Sequence, residues 1–348
     1  MFKSFADYLS NKRFESLDGL RAISIIAVIW HHTAPAGVNT MLASIGAQGV
    51  QLFFAISGFL ITTLLLRERE RNGKIDLKAF YLRRSLRIFP LYYGTLVLYI
   101  ILVFFLERHT AVGQAFFQNL IYFATYTSNL FVALDGRVIF YFAWSLAAEE
   151  QFYLVWPPLL LLAGSVGRAS LILLVVTIAC VGSQLLGLRS LDMIQLPIVL
   201  GALLAIGLNH EKSFTWLYRL LGQSWSAPVT FIALVLSLLS LQSQTLPGFV
   251  SSILFAAVVG SCVIRVQHPL STLLAFKPLA YLGAISYGMY MLHMLCKNFV
   301  GKLFKVFQIN DPGIAVFLLT LCMSIVLASI SFRYYESWFL AWKTRFER

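Results

Sequence analysis

Two adjacent histidines, His31 and His32, lie towards the far end of the run LDGLRAISIIAVIWHHTAP, Leu17 to Pro35, whose only charges are Asp18 and Arg21. Imidazole takes up and returns a proton near neutral pH, so it suits general acid–base chemistry. An ionisable side chain inside an apolar span is costly and faces a bundle interior or a wet cavity, which makes function its default assignment. Arg21 and His32 are eleven residues apart. On a helix that spacing returns to within about 20° of one face and separates them by about 16 Å along the axis. His31 points about 100° away from that stripe. The competing assignment for either imidazole is a hydrogen bond between helices.

Three further groups could do chemistry. In LRRSLRIFPLYY, Leu82 to Tyr93, Arg83 and Arg87 share a face at i, i+4 and Arg84 lies close to Arg87 at i, i+3. Guanidinium forks there could grip a phosphate bidentately, or serve as charge against anionic lipid. In FAWSLAAEEQFYLVWP, Phe142 to Pro157, the adjacent carboxylates Glu149 and Glu150 follow Trp144 and precede an apolar helix. One of them could orient an imidazole, or the pair could cap the helix. In YLGAISYGMYMLHML, Tyr281 to Leu295, Ser286, Tyr290 and His293 fall three or four apart and form a polar stripe, with Tyr287 beside them. At SFRYYESW, Ser331 to Trp338, Arg333 and Glu336 could pair. Ser57-Gly58 interrupts the bulky run GVQLFFAISGFLIT, where small residues let helices approach closely. The alternating charges of RERERNGK, Arg67 to Lys74, fit a solvated face.

The elements that must carry these groups are membrane helices. The 348 residues are 59% hydrophobic and 12% charged, with a mean hydropathy of +0.79, against about 25% charge in ordinary soluble domains. Apolar runs long enough to cross a hydrocarbon core recur throughout. Candidate spans are 18–37, 49–66, 88–106, 144–164, 169–187, 193–209, 226–242, 248–265, 279–299 and 313–333. The polar-sprinkled stretch 116–134 decides the topology. Without it, ten spans put both termini in the cytoplasm, with 21 basic residues inside and 6 outside. With it, the split weakens to 17 against 10. The positive-inside bias therefore favours ten spans and a re-entrant or interfacial 116–134. The same bias accounts for the net charge of +12 without nucleic acid as a partner. Arg21, His31 and His32 argue against a cleaved leader before Ala34-Pro35-Ala36. The four cysteines stand singly in apolar segments, so neither a disulfide framework nor a metal site is expected. The expectation is an all-α polytopic membrane protein, 1–348 as a single membrane-embedded domain with no appended soluble domain.

The motifs taken together resemble the acyltransferase 3 membrane proteins, which include bacterial O-antigen, exopolysaccharide and nodulation-factor O-acetylases. They are Leu17-Asp18-Gly19-Leu20-Arg21 with His32 eleven residues on, GVQLFFAISGFLI, Arg83-Arg84-x-x-Arg87 with Pro90 and Tyr92-Tyr93, WSLAAEEQFYLVWP and ISYGMYMLH. They run in the family's order from about 15 to 340. The resemblance implies a ten-span core in a bacterial inner membrane that transfers an acyl group, usually acetyl, from acyl-CoA to a sugar hydroxyl. It implies His32 and Glu149 as the catalytic residues, with Glu149 at the acidic position orienting the His32 base. Arg83, Arg84 and Arg87 become the coenzyme contacts, with Arg21 on the same path. Glu150, Trp144, Ser286, Tyr287, Tyr290 and His293 become supporting residues. No metal is implied. The last motif departs from the family where Glu336 is followed by Ser337-Trp338, which leaves the exit of the final helix open. Buried polar groups at mid-membrane also suit a transporter of a lipid-linked sugar or anionic metabolite.

Overall fold

A computed structural model describes residues 5–11, 13–35, 40–132, 138–188, 191, 193–242, 248–309, 313–343 and 346. No strand occurs among them. The chain divides into two compact units, Met1–Lys74 with Gly164–Ser329, and Ile75–Ala163 with Ile330–Arg348.

The first unit opens with α1 (Phe5–Ser10), α2 (Glu15–Thr33), α3 (Thr40–Ala47) and α4 (Gly49–Asn72). The second holds α5 (Leu77–Leu106), α6 (Ala111–Gln118), α7 (Leu120–Ala124), α8 (Ser128–Phe131) and α9 (Trp144–Leu162). The first then resumes with α10 (Val166–Leu185), α11 (Leu196–Leu208), α12 (Glu211–Leu221), α13 (Ser226–Gln242) and α14 (Gly248–Ile264). It continues through α15 (Ser271–Leu274), α16 (Lys277–Ala284), α17 (Ser286–Val306) and α18 (Ala315–Ser331). A π-helical turn, Phe332–Glu336, and α19 (Ser337–Lys343) return to the second unit.

In the first unit Leu17 and Leu20 of α2, Phe59 of α4, Leu204 of α11 and Val259 of α14 share one apolar core. Glycine sets how closely these helices cross. A Cβ at Gly58 would overlap the Ile198 carbonyl oxygen, and one at Gly201 would overlap that of Ala55, so α4 and α11 meet backbone to backbone. This is the close packing expected of Ser57-Gly58. Gly283 of α16 sits in the same way on the Asp18 carbonyl of α2.

Four helices are long and apolar enough to cross a membrane: Ile45–Asn72, Leu77–Leu106, Val166–Leu185 and Ala315–Trp342. Two bent pairs, Glu211–Leu221 with Ser226–Ser240 at 73° and Lys277–Ala284 with Ser286–Val306 at 74°, raise the number to six among the described residues. The expected span 279–299 is therefore broken, because α16 lies across α2 at Gly283 before the chain turns into α17. Leu196–Leu208 and Gly248–Ile264 are apolar but of 13 and 17 residues, short of the roughly 20 that a spanning helix takes. Positions 36 and 37 of the expected span 18–37 lie outside the described residues.

The stretch 116–134 divides into α6, α7 and α8, of 8, 5 and 4 residues, none of which reaches across a membrane; positions 133 and 134 lie outside the described residues. It packs along the C-terminal half of α5. Tyr92 donates to the Phe123 carbonyl at 2.8 Å and Tyr93 to that of Ala124 at 2.9 Å. Asp76 caps α5 by accepting from the Ala79 N–H at 2.9 Å, so the helix starts seven residues before Arg84.

Candidate functional site

In the first unit the His32 ring stacks on that of His293, with centroids 5.1 Å apart and planes 29° from parallel. His293 is fully buried. Its Nδ1 donates to the Tyr290 carbonyl at 2.6 Å, and the Tyr290 ring packs on it at 5.5 Å. His31 lies 4.9 Å from His32, tilted by 59°, and its Nδ1 donates to the Ala43 carbonyl at 2.8 Å. Residues 261 positions apart in the chain are thus brought together by the packing of α17 on α2. Ser286 and Tyr290 are buried on the same helix, and Tyr287 is half-buried. Despite the three imidazoles, no group of three His, Cys, Asp or Glu side chains is placed to hold a metal among the described residues.

At the other end of α2, Asp18 binds Arg13 at 2.9 Å and Arg21 at 3.4 Å. Arg21 lines a cavity of about 150 Å³ with Arg13, Arg67, Leu60 and Thr63. Arg67 is turned to the end of α1, donating to the Asn11 carbonyl at 2.6 Å.

In the second unit the three arginines have separate partners. Arg83 donates to the Phe346 carbonyl at 2.7 Å, and Arg87 acts electrostatically on Glu336. Both face the C-terminal segment, as the i, i+4 spacing requires. Arg84 takes another face. Its guanidinium is 3.5 Å from the Glu149 carboxylate and 3.9 Å above the Tyr153 ring, while the Tyr153 hydroxyl donates to the same carboxylate oxygen. Tyr81 reaches the Leu154 carbonyl at 2.8 Å, so α9 runs antiparallel to α5 and begins only part-way along it. Glu149 therefore falls level with the arginine cluster. Glu150 buries its Oε1 with no hydrogen-bond partner among the described residues, and Trp144, the first residue of α9, is half-buried. The expected Arg333–Glu336 pair does not form: Arg333 lies over the Tyr334 ring at 5.6 Å, and Glu336 accepts from Ser331 at 3.0 Å.

Sequence reasoning passed over Tyr153, although its i, i+4 spacing from Glu149 was a signal. It also passed over Ser16 and His268, hydrogen-bonded at 3.3 Å in the first unit, for which no local pattern exists.

An all-helical chain with apolar helices of membrane-crossing length, a buried imidazole pair and an arginine–carboxylate cluster is the setting in which the comparisons fall. The chain belongs to the acyltransferase family, whose sequence profile, described as an acyltransferase domain, matches residues 14–333. It is 30% identical to the peptidoglycan O-acetyltransferase OatA of Listeria monocytogenes over 94% of its own length. It is 27% identical over 92% to YrhL of Bacillus subtilis, a candidate peptidoglycan O-acetyltransferase. A candidate O-acetyltransferase of Staphylococcus aureus strain COL is 26% identical over 96%. The chain spans 56%, 54% and 58% of these three proteins, a little over half of each. No solved structure matches it.

Proposed function

We propose that the chain is the core of a multi-pass membrane O-acyltransferase. It carries an acyl group, taken here as acetyl, from acyl-CoA on the cytoplasmic side to a sugar hydroxyl of a cell-surface glycan. The single observation behind this reading is the His32 imidazole held against a buried second imidazole in a chain of this family. His32 acts as general base: it removes the proton from the acceptor hydroxyl as that oxygen attacks the thioester carbonyl. The tetrahedral intermediate then expels the CoA thiolate, which takes the proton back from the imidazolium. A base so positioned contributes about 10²- to 10⁴-fold, and holding thioester and hydroxyl in register supplies much of the remainder.

Arg83, Arg84 and Arg87 are the proposed phosphate grip, with Arg21 as a further cation on the coenzyme's path. Arg84 is the best oriented of them, because Glu149 and Tyr153 fix its guanidinium plane. Glu149 thus serves Arg84 in this reading, and Glu150, Trp144, Ser286, Tyr287 and Tyr290 support the acceptor. Ten spans with both termini cytoplasmic, in a bacterial inner membrane, complete the proposal. Two of the relatives carry peptidoglycan in their names, so peptidoglycan fragments are the first acceptor to try.

The test is the full-length protein in lipid vesicles with acetyl-CoA and glycan acceptors, following free CoA and the mass of the acetyl ester. Wild type should form both products. His32→Ala should form neither while accumulating in the membrane normally, and an acetylating His32→Ala protein would overturn the assignment.

A further inference from the structure

We infer that His293 is a positioning residue for His32, an imidazole anchored through Nδ1 to a backbone carbonyl that sets the plane of the reacting ring and faces the charge it acquires. The inference rests on the reading of His32 as the base.

A backbone carbonyl only accepts, so the 2.6 Å contact to Tyr290 places a proton of His293 on Nδ1, which in the neutral ring leaves the lone pair on Nε2. The ring cannot turn over without losing that bond inside a fully buried site. The bond lies within α17 itself, three residues back, so the ring's orientation depends on the helix rather than on a mobile side chain. Its face meets that of His32 at 5.1 Å and 29°. His31 repeats the arrangement through the Ala43 carbonyl, its ring 4.9 Å from His32. Two imidazoles that each donate Nδ1–H to a backbone carbonyl therefore border the one that reacts. When His32 takes the hydroxyl proton it becomes a cation against a π face, an attractive arrangement that strengthens where water is excluded. Before that moment the stack restricts the rotamers of a half-buried side chain that α2 alone would leave free to swing.

The experiment compares His293→Phe, His293→Gln and wild type, all full-length in the same vesicles. Phe keeps a flat ring but loses the Nδ1 bond and the lone pair. Gln keeps an N–H able to reach the carbonyl but loses the ring. Gln should lower kcat by about 10- to 30-fold with donor and acceptor KM unchanged, and Phe, which keeps a face but loses its anchor, by a few-fold. Wild-type kcat in either variant, or a raised KM with kcat intact, overturns the inference. If Phe prevents accumulation, Gln carries the same two outcomes. A wild-type protein that releases no CoA defeats the acyl-transfer reading itself. Active wild type with indifferent His293 variants defeats only the role given to His293.

Discussion

Removing the charge of Glu149 isolates what holds Arg84. At 3.5 Å and an effective dielectric of about 20, the gross attraction is about 4–5 kcal/mol. The two side chains remain 20% and 16% exposed, so solvent takes back a good part of it. In Glu149→Gln, Arg84 keeps the Tyr153 ring 3.9 Å away, and the amide oxygen can still accept from the Tyr153 hydroxyl. The net cost should be about 2 kcal/mol, below the roughly 3–5 kcal/mol of a fully buried pair broken on one side. Arg84→Met strands the carboxylate with the phenol alone and should cost slightly more. The double variant should cost less than the sum, with a coupling of about 2 kcal/mol. Thermal unfolding of the purified full-length protein reads this as a midpoint lowered by about 3 °C in Glu149→Gln. Strictly additive single and double variants would refute the pairing. Activity adds a second reading: if Glu149 serves Arg84, the Gln variant should raise the donor KM more than it lowers kcat.

Two other expectations concern the first unit. Gly58→Ala forces a methyl group onto the Ile198 carbonyl and should exceed the roughly 1–3 kcal/mol of ordinary overpacking. Gly182→Ala, with nothing within 4 Å of the new atom, should leave the unfolding midpoint unchanged, and equal effects at the two sites would contradict the close crossing of α4 and α11. Burial, and then the neighbouring Arg265, hold the loop residue His268 below the ordinary imidazole range. The unfolded chain therefore binds that proton at higher pH than the folded one, and stability should fall as pH drops below about 6.5. His268→Gln should flatten this decline in midpoint against pH, and a protein that gains stability on acidification would refute the assignment.

Local spacing made much of the site legible. Arg83 and Arg87 do share a face, and Asp18 meets Arg21 at i, i+3. The polar sprinkling of 116–134 correctly marked a segment unfit to cross as one helix. What the sequence could not carry is register between distant helices. Nothing around Trp144 announces that α9 starts part-way along α5, so the pairing of Glu149 with Arg84 is not legible there. The bend between Ala284 and Ser286 was hidden for a related reason: the close approach of Gly283 to the Asp18 carbonyl is a tertiary fact. His32 and His293 were each visible as polar intrusions, but their stacking depends on how α17 lies on α2.

Tyr92 and Tyr93 hand their hydroxyls to the carbonyls of Phe123 and Ala124. In hydrocarbon those oxygens would have no water to satisfy them, so the long helix brings phenols in its place. The short helices they tether are thereby freed from needing a polar sequence of their own. Drift in residues 120–124 should be cheap, whereas loss of the Tyr93 phenol would take from the Ala124 carbonyl a donor that no change within the segment could restore.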